Sequence, residues 1–221
     1  MKKLALIIAA LACLVLASSA AADVRVGPRF QYLYEGGGSH NWTNRLGDSP
    51  SDANAKALRA RVVAGDYLAF YTRNSLVIRK DVDAVSNLSF DFAEDRHVGA
   101  GSPRISVEFQ NGDIGYLAAG ACNHTLANTG GGWGRADFTR FKTNCTMYVY
   151  DGVTNTAYPA GAGMSAWDVY SSANPAAVVE KAYVVLDEPG RYLLDHISIG
   201  DGVMHTRADR WGKACPTEAS C

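Results

Sequence analysis

The chain has 221 residues, 48% of them hydrophobic, and a formal net charge of −1 at pH 7. This composition excludes an intrinsically disordered chain, because the apolar content is high and the net charge is small. It also argues against a nucleic-acid-binding protein, which would carry a basic excess. The length fits one domain that is large enough to build a hydrophobic core.

The first 22 residues have the pattern of a secretory signal peptide. Two lysines precede an apolar run from Leu4 to Leu16, and the small residues ending at Ala22 supply an A-x-A cleavage site. This run of about 13 residues is too short to span a bilayer, which takes roughly 20. Cleavage after Ala22 would leave 199 residues with a net charge of −3. We therefore expect a secreted, periplasmic or extracellular protein without a membrane span, and the compact Met-Lys-Lys start indicates a bacterial source.

The cysteines divide into one in the signal and four beyond it. A lipid anchor at Cys13 is the weaker alternative, because the sequence before it matches a lipobox only loosely and the apolar run continues past it. An even number of cysteines in a secreted chain predicts disulfides, with three pairings open. Short separations favour Cys122–Cys145 and Cys215–Cys221. A metal site is the alternative, but no Cys-x2-Cys or Cys/His cluster with zinc spacing occurs in the sequence.

The rest of the chain is dominated by short β-forming runs separated by Gly, Asn, Asp and Pro, which predicts an all-β sandwich. Residues 23–201 are expected to form this domain, and residues 202–221 a polar, irregular tail closed by the second disulfide. Residues 51–63 fit either a helix or a strand, and residues 164–171 fit a short helix. The strand candidates outside the hairpins are Arg29–Tyr34, Tyr67–Tyr71, Ser75–Lys80, Asn87–Phe92 and Met147–Tyr150.

A first hairpin is predicted over residues 105–117. Apolar and polar residues alternate from Ile105 to Gln110, so one face of this strand is expected to be buried. Asn111-Gly112 follows, and this pair favours the two-residue type I′ turn. Residues 113–117 then form the returning strand.

A second hairpin is predicted late in the chain. It joins the strongly β-forming run Ala177–Leu186 to Tyr192–Ile199 through the turn sequence Asp187–Gly190. The apolar residues of the last strand fit an inner face imperfectly. We therefore expect a change of register near Asp195.

The order of these elements resembles secreted bacterial jelly-roll domains, including many carbohydrate-binding modules. The resemblance covers about residues 28–200 and rests on short motifs, which are Leu88–Phe92, Gly99–Arg104, the first hairpin, Trp133 and Tyr192–Ile199. It implies an antiparallel jelly-roll β-sandwich and a polysaccharide or cell-surface glycan as partner. A likeness of fold does not by itself fix function.

The same resemblance implies a structural calcium ion, with no other cofactor required. Modules of this kind often bind calcium through an aspartate on the last strand and an acidic residue near the first strand. Asp195 and Glu35 are the matching residues here. The alternative is that Asp195 bonds the backbone of a turn.

Tryptophans and arginines are the candidate ligand-binding residues, since sugar rings stack on aromatic faces. Trp42 lies in a polar segment predicted to be a loop, and Trp133 is flanked by glycines that would present it to solvent. Alternatively, Trp133 begins a strand and packs inside. Arg104 and Arg135 would bind a sugar acid in bidentate fashion, or pair with nearby aspartates. Of the other tryptophans, Trp167 is expected in the core and Trp211 at the end of the sandwich.

The sequence contains no Gly-x-Ser-x-Gly elbow, zinc-protease helix or phosphate loop. A glycosidase would need two paired carboxylates, and the candidates by type are Glu35, Asp91, Glu94, Glu108 and Asp113. Glu108 would line a cleft if its face is concave, or would lie on a solvated outer face. We expect a non-catalytic protein that binds carbohydrate. The alternatives are an extracellular hydrolase or lyase acting on polysaccharide, and a surface adhesin with a protein partner.

Overall fold

The computed structural model describes residues 25–26, 32–44, 56–72, 78–122, 128–130, 132–139, 145–200, 202–204 and 212–213. In this part of the chain two antiparallel sheets face each other as a β-sandwich, which confirms the predicted all-β class. The jelly-roll topology stays a prediction. The predicted signal peptide and Cys215–Cys221 lie outside the described residues.

The strands are short and numerous. The first nine are β1 (Arg25–Val26), β2 (Tyr32–Glu35), β3 (Ser39–Asn44), β4 (Lys56–Val62), β5 (Leu68–Thr72), β6 (Lys80–Asp81), β7 (Leu88–Ala93), β8 (Arg104–Phe109) and β9 (Ile114–Ala118). The remainder are β10 (Asn128–Gly130), β11 (Trp133–Asp137), β12 (Thr146–Tyr150), β13 (Asn155–Pro159), β14 (Val178–Leu186), β15 (Gly190–Ile199), β16 (Gly202–Met204) and β17 (Gly212–Lys213).

Sheet A has nine of these strands and sheet B has eight. Sheet A runs β1-β2-β5-β14-β8-β9-β12-β13, with β6 also beside β14. Sheet B runs β10-β11-β7-β15-β16-β17, with β4 also beside β15 and β3 beyond β4. Both orders mix strands that are distant in the chain, so most of the pairing is long-range.

The core lies between the sheets and follows from the period-two alternation of side chains along a strand. Strand β7 contributes Leu88, Phe90 and Phe92 to the core, while Asp91 between them points to the outer side of sheet B. The same alternation in β8 buries Ile105 and its i+2 neighbours and turns Arg104 to the outer side of sheet A. The two outer sides are therefore where polar and aromatic side chains gather.

The first hairpin is confirmed, since β8 pairs with β9 in antiparallel register. The predicted type I′ turn is wrong, however, because Gly112 has a φ of +91° while Asn111 does not have a positive φ. The connection has four residues instead of two. It is closed by backbone hydrogen bonds, in which Gly112 N–H donates to the carbonyl of Phe109 at 2.9 Å and Phe109 N–H donates to the carbonyl of Asp113 at 3.0 Å.

The second predicted hairpin is wrong. Strand β14 belongs to sheet A and β15 to sheet B, so the Asp187–Gly190 turn carries the chain from one sheet to the other. Each strand finds partners far away in the chain, which a local turn sequence does not reveal. Within the connection, the Tyr192 hydroxyl donates to the carbonyl of Glu188 and accepts from Ser102 at 3.1 Å.

The change of register expected near Asp195 is confirmed. The pairing of β15 with β7 shifts between Asp195 and Ser198, and His196 has a φ of +44°. This irregularity lets Leu194 and Ile197 both face the core although they are three residues apart. It also places Asp195 and His196 together on the outer side of sheet B.

The remaining predicted segments have the following structures. The ambiguous residues 51–63 contain strand β4, and the short helix is α1 (Ala166–Ala173), where Ser165 and Asp168 form a capping box. The tail predicted to be irregular contains β16 and β17, which extend sheet B. Trp167 is 3% exposed, as expected, and its Nε1 donates to the carbonyl of Val82.

One disulfide is confirmed by the structure. Cys122 and Cys145 are bonded across 23 residues of sequence and lie beside each other at the edges of the core. This bond joins the end of β9 to the start of β12, which pair with each other in sheet A. It therefore fixes the two ends of the chain segment between these cysteines, which includes β11 of sheet B.

Candidate functional site

A row of tyrosines crosses the outer side of sheet A. Tyr183 on β14 pairs in register with Ser106 on β8, which pairs with Tyr116 on β9, which pairs with Tyr148 on β12. Tyr71 on β5 extends the row, because its ring lies 4.8 Å from that of Tyr183. We call this surface, defined by Tyr71, Tyr183, Tyr116 and Tyr148, the tyrosine face.

The exposure of these rings increases across the sheet. Tyr71 is only 5% exposed and supports Tyr183, which is half-buried. Tyr116 is also half-buried, and Tyr148 is 43% exposed. The last two border a shallow depression of about 320 Å³, whose other wall contains Gly101, Arg104 and Asn155. The accessible part of the tyrosine face is therefore at β9 and β12.

Arg104 forms the polar edge of this depression. Its guanidinium lies 5.2 Å from the centre of the Tyr116 ring, a cation–π distance. Its Nη1 forms an ion pair with Asp187 at 2.6 Å and donates to the carbonyl of Gly101 at 2.9 Å. Its Nε donates to the Ser106 hydroxyl at 3.2 Å. These contacts hold the guanidinium in one position next to the half-buried Tyr116 ring.

Glu108 lies on the same outer side, near Tyr183. Its Oε1 accepts a hydrogen bond of 2.7 Å from the Tyr183 hydroxyl, and its Oε2 pairs with Lys181 at 2.9 Å. Its side chain is 26% exposed, and that of Lys181 is 34% exposed. Of the two readings left open by the sequence, the structure places Glu108 on an outer sheet face in a polar network, next to aromatic rings.

A second constellation lies on the outer side of sheet B. Asp91 on β7 and Asp195 on β15 are opposite each other in register, and both are fully buried. Arg135 Nε donates to Asp91 Oδ1 at 2.7 Å, and His196 Nδ1 lies 3.1 Å from Asp91 Oδ2 and 3.7 Å from Asp195 Oδ2. We call Asp91, Asp195, Arg135 and His196 the carboxylate cluster.

The neighbouring charges determine the protonation of the His196 imidazole in this cluster. Burial of the imidazole alone would lower its pKa, but the hydrogen bond to Asp91 and the charges of Asp195 and Asp91 outweigh burial and raise the pKa. Two buried carboxylates thus face one arginine and one histidine with increased affinity for a proton. Neither carboxylate has exposed surface, and both are placed to neutralise these cations.

The predicted site residues fall in different places. Arg104 borders the depression on sheet A, whereas Arg135 pairs with Asp91 on sheet B, which is one of the alternatives that the sequence left open. Trp133 is 4% exposed and packs on the outer side of sheet B with Ala57, Ala93 and Leu193. Trp42 lies in strand β3, opposite Leu58, and not in a loop as predicted. The participation of these residues in ligand binding stays a prediction.

The structure does not bring the predicted calcium ligands together. Glu35 is in β2 of sheet A, while Asp195 is in β15 of sheet B. Within the described residues, no group of three or more His, Cys, Asp and Glu side chains has an arrangement that would hold a metal ion. Calcium binding stays a prediction from the resemblance.

Sequence reasoning missed the tyrosine face. Its members come from four separate strands, and only the register across the sheet places them in one row. One signal was available, because the β8–β9 hairpin puts Tyr116 opposite Ser106 on the polar face of β8. The long-range pairing with β12 and β14 could not be read from any local pattern.

Comparison of the chain with known proteins finds no match. No protein-family model matches the chain, and no curated protein and no solved structure matches it. Among the helices of the described residues, none is long and apolar enough to cross a membrane.

Proposed function

We propose that this protein is a secreted, non-catalytic carbohydrate-binding protein and that the tyrosine face is its sugar-binding surface. The observation that carries the proposal is the register of the strands, which aligns Tyr183, Tyr116 and Tyr148 across sheet A. A signal-like start of the sequence supports a ligand outside the cytoplasm.

The chemistry of the face suits a sugar. The Tyr148 ring is 43% exposed and offers a flat apolar surface for the C–H face of a pyranose ring, beside the Tyr116 ring on which the Arg104 guanidinium lies. Arg104 and Asn155 supply hydrogen-bonding groups beside these rings for hydroxyls. A small number of polar groups around an apolar platform is the usual composition of a ligand site.

The dimensions of the row favour an extended chain over a single sugar. Neighbouring strands lie about 4.8 Å apart, so the three steps from Tyr183 to Tyr148 span about 14 Å. Ser106, in the middle of the row, is only 2% exposed, and its hydroxyl accepts a hydrogen bond from Arg104 Nε between the aromatic rings. A polysaccharide lying across the strands would contact both ends of the row.

Glycan-array binding of the purified, disulfide-intact protein tests this proposal. We expect a defined set of neutral glycans to bind, and the Tyr116→Ala/Tyr148→Ala variant to lose about tenfold or more in affinity, as for central aromatic residues of binding sites. Tyr67→Ala is the matched control, since Tyr67 is 36% exposed and lies in the β4–β5 connection. Repeating the array with EDTA tests for calcium.

Two results would contradict the proposal. One is the absence of binding to any displayed glycan by a protein shown to be folded by circular dichroism. The other is full binding by the double tyrosine variant, which would move the site away from sheet A.

A further inference from the structure

Three arginines gather on the outer side of sheet B, far from the tyrosine face. Arg59 and Arg61 are two residues apart on β4 and therefore point to the same side, and Arg191 on β15 is directly opposite Arg61. All three side chains are exposed. The paired backbones are about 5 Å apart, so the guanidinium groups have to share a small area.

This arrangement is unfavourable for the isolated protein. Like charges directly opposite each other on neighbouring strands destabilise a sheet. Among the residues that the structure describes, no acidic side chain forms an ion pair with Arg59, Arg61 or Arg191. By contrast, Arg104 and Arg135 each pair with an aspartate. The three exposed arginines therefore have guanidinium groups available for an anion from outside.

The surface between them is concave and lined by hydrogen-bonding groups. Ser39 and Asn41 on β3 are opposite Arg61 and Arg59, respectively, and together with Arg191 they line a depression of about 310 Å³. We call these five residues the arginine groove. Guanidinium forks match the geometry of planar or tetrahedral oxyanions, while the hydroxyl and amide groups suit sugar hydroxyls.

We propose that the arginine groove binds an anionic polysaccharide through its carboxylate or sulfate groups. The separation of two residues along β4 and of one strand across to β15 gives charges about 5–7 Å apart, so one chain can place two anionic groups in the groove. The positive charge is local, since the whole chain has a net charge of −1. A short anionic repeat fits this local charge better than a long nucleic acid, whose binding calls for a broad basic surface. This site does not rest on the proposed function of the tyrosine face, because it lies on the other sheet.

Binding of the full-length mature protein to immobilised polysaccharides tests the proposal. The probes are dextran sulfate, polygalacturonate and neutral dextran, with vesicles of anionic phospholipid as a fourth arm. We expect binding to at least one anionic polysaccharide, weakening as salt screens the charges. Arg61→Gln should reduce the affinity about tenfold, because it removes one group that forms charge-assisted hydrogen bonds. Arg61→Gln/Arg191→Gln should reduce the affinity further.

The matched control is Arg79→Gln, which removes the same charge from an exposed arginine next to β6 of sheet A. Preference for dextran sulfate or for polygalacturonate would identify sulfate or carboxylate as the bound group. Binding of Tyr116→Ala/Tyr148→Ala to neutral dextran as tight as to the anionic polymers, tighter binding to vesicles than to either polymer, or equal losses for Arg79→Gln and Arg61→Gln would overturn the proposal. Tyr116→Ala/Tyr148→Ala should bind the anionic polymer as the unchanged protein does, which separates this test from that of the tyrosine face.

Discussion

At the scale of single residues, the most constrained side chain outside the core is that of Asp91. It is fully buried, and its two oxygens are bonded to Arg135 and His196. A buried charge is tolerated only when partners of this kind compensate for the loss of water. The role of Asp91 is thus to keep the two cations of the carboxylate cluster, Arg135 and His196, in place on sheet B.

Replacing Asp91 with Asn should therefore destabilise the fold. The variant leaves Arg135 and His196 without their main counter-charge, and breaking a buried pair in this way costs about 3 kcal/mol. Chemical denaturation measures the difference in the free energy of unfolding. Asp95→Asn is the control, because Asp95 pairs with Arg96 on the surface, with 69% of its side chain exposed, and should change stability by less than about 1 kcal/mol. Equal effects of the two substitutions would argue against a structural role for the cluster.

His196 should make stability depend on pH. Its pKa is raised in the folded protein, so protonation of His196 favours folding. The stability that this protonation contributes is complete below the unfolded pKa of about 6.5 and is lost as pH rises through the folded pKa. The stability difference between the unchanged protein and His196→Asn should decrease as pH rises from about 5 to 8. Asn is chosen because it tolerates the positive φ at this position. Unfolding curves at several pH values would show a constant difference if His196 did not titrate in this range.

At the scale of elements, the sequence predicted strands better than their pairing. The alternation from Ile105 to Gln110 and the Asn-Gly pair correctly predicted the β8–β9 hairpin, whose contacts are local, but not the type of its turn. The turn at Asp187–Gly190 looked equally local, but its flanking strands belong to different sheets. A turn sequence predicts that the chain reverses and does not say whether it reverses within a sheet or between sheets.

The same limit explains which part of the candidate site was predictable. Arg104 was singled out because its guanidinium could bind a sugar acid in bidentate fashion, and it does border the depression. Tyr116 and Tyr148 were passed over, since each alternates with core residues like any outward residue of a strand. Their significance depends on the alignment of β9 with β12, which no short pattern specifies.

The disulfide adds a covalent link between β9 and β12, which pair with each other over a long range in the sequence. Cys122–Cys145 closes a loop of 23 residues between β9 and β12, which corresponds to about 3 kcal/mol in the chain-entropy account. Cys122→Ala/Cys145→Ala should lower the free energy of unfolding by at least this amount, because Cys145 is also buried. Denaturant titration of both proteins under oxidising conditions measures it. A variant as stable as the unchanged protein would show that strand pairing alone fixes these ends.

At the scale of the whole molecule, the sandwich presents two unlike outer surfaces. Sheet A carries aromatic rings with a few paired charges, while sheet B carries three exposed arginines on β4 and β15 and a buried carboxylate cluster on β7, β11 and β15. Because the two sheets share one core, each surface is rigidly supported from behind. Neutral sugars suit the surface of sheet A and anionic groups suit the arginines of sheet B, so we propose two separable binding activities for one fold.

The most direct test of the central claim is to map where a neutral glycan binds. Amide chemical shifts of the disulfide-intact protein would be followed during titration with the neutral oligosaccharide that binds most strongly on the array. We predict perturbations centred on β9, β12 and β14 around Tyr116, Tyr148 and Tyr183, with the arginine positions of β4 and β15 unchanged. Perturbations centred on sheet B, or the same perturbations in Tyr116→Ala/Tyr148→Ala, would contradict it.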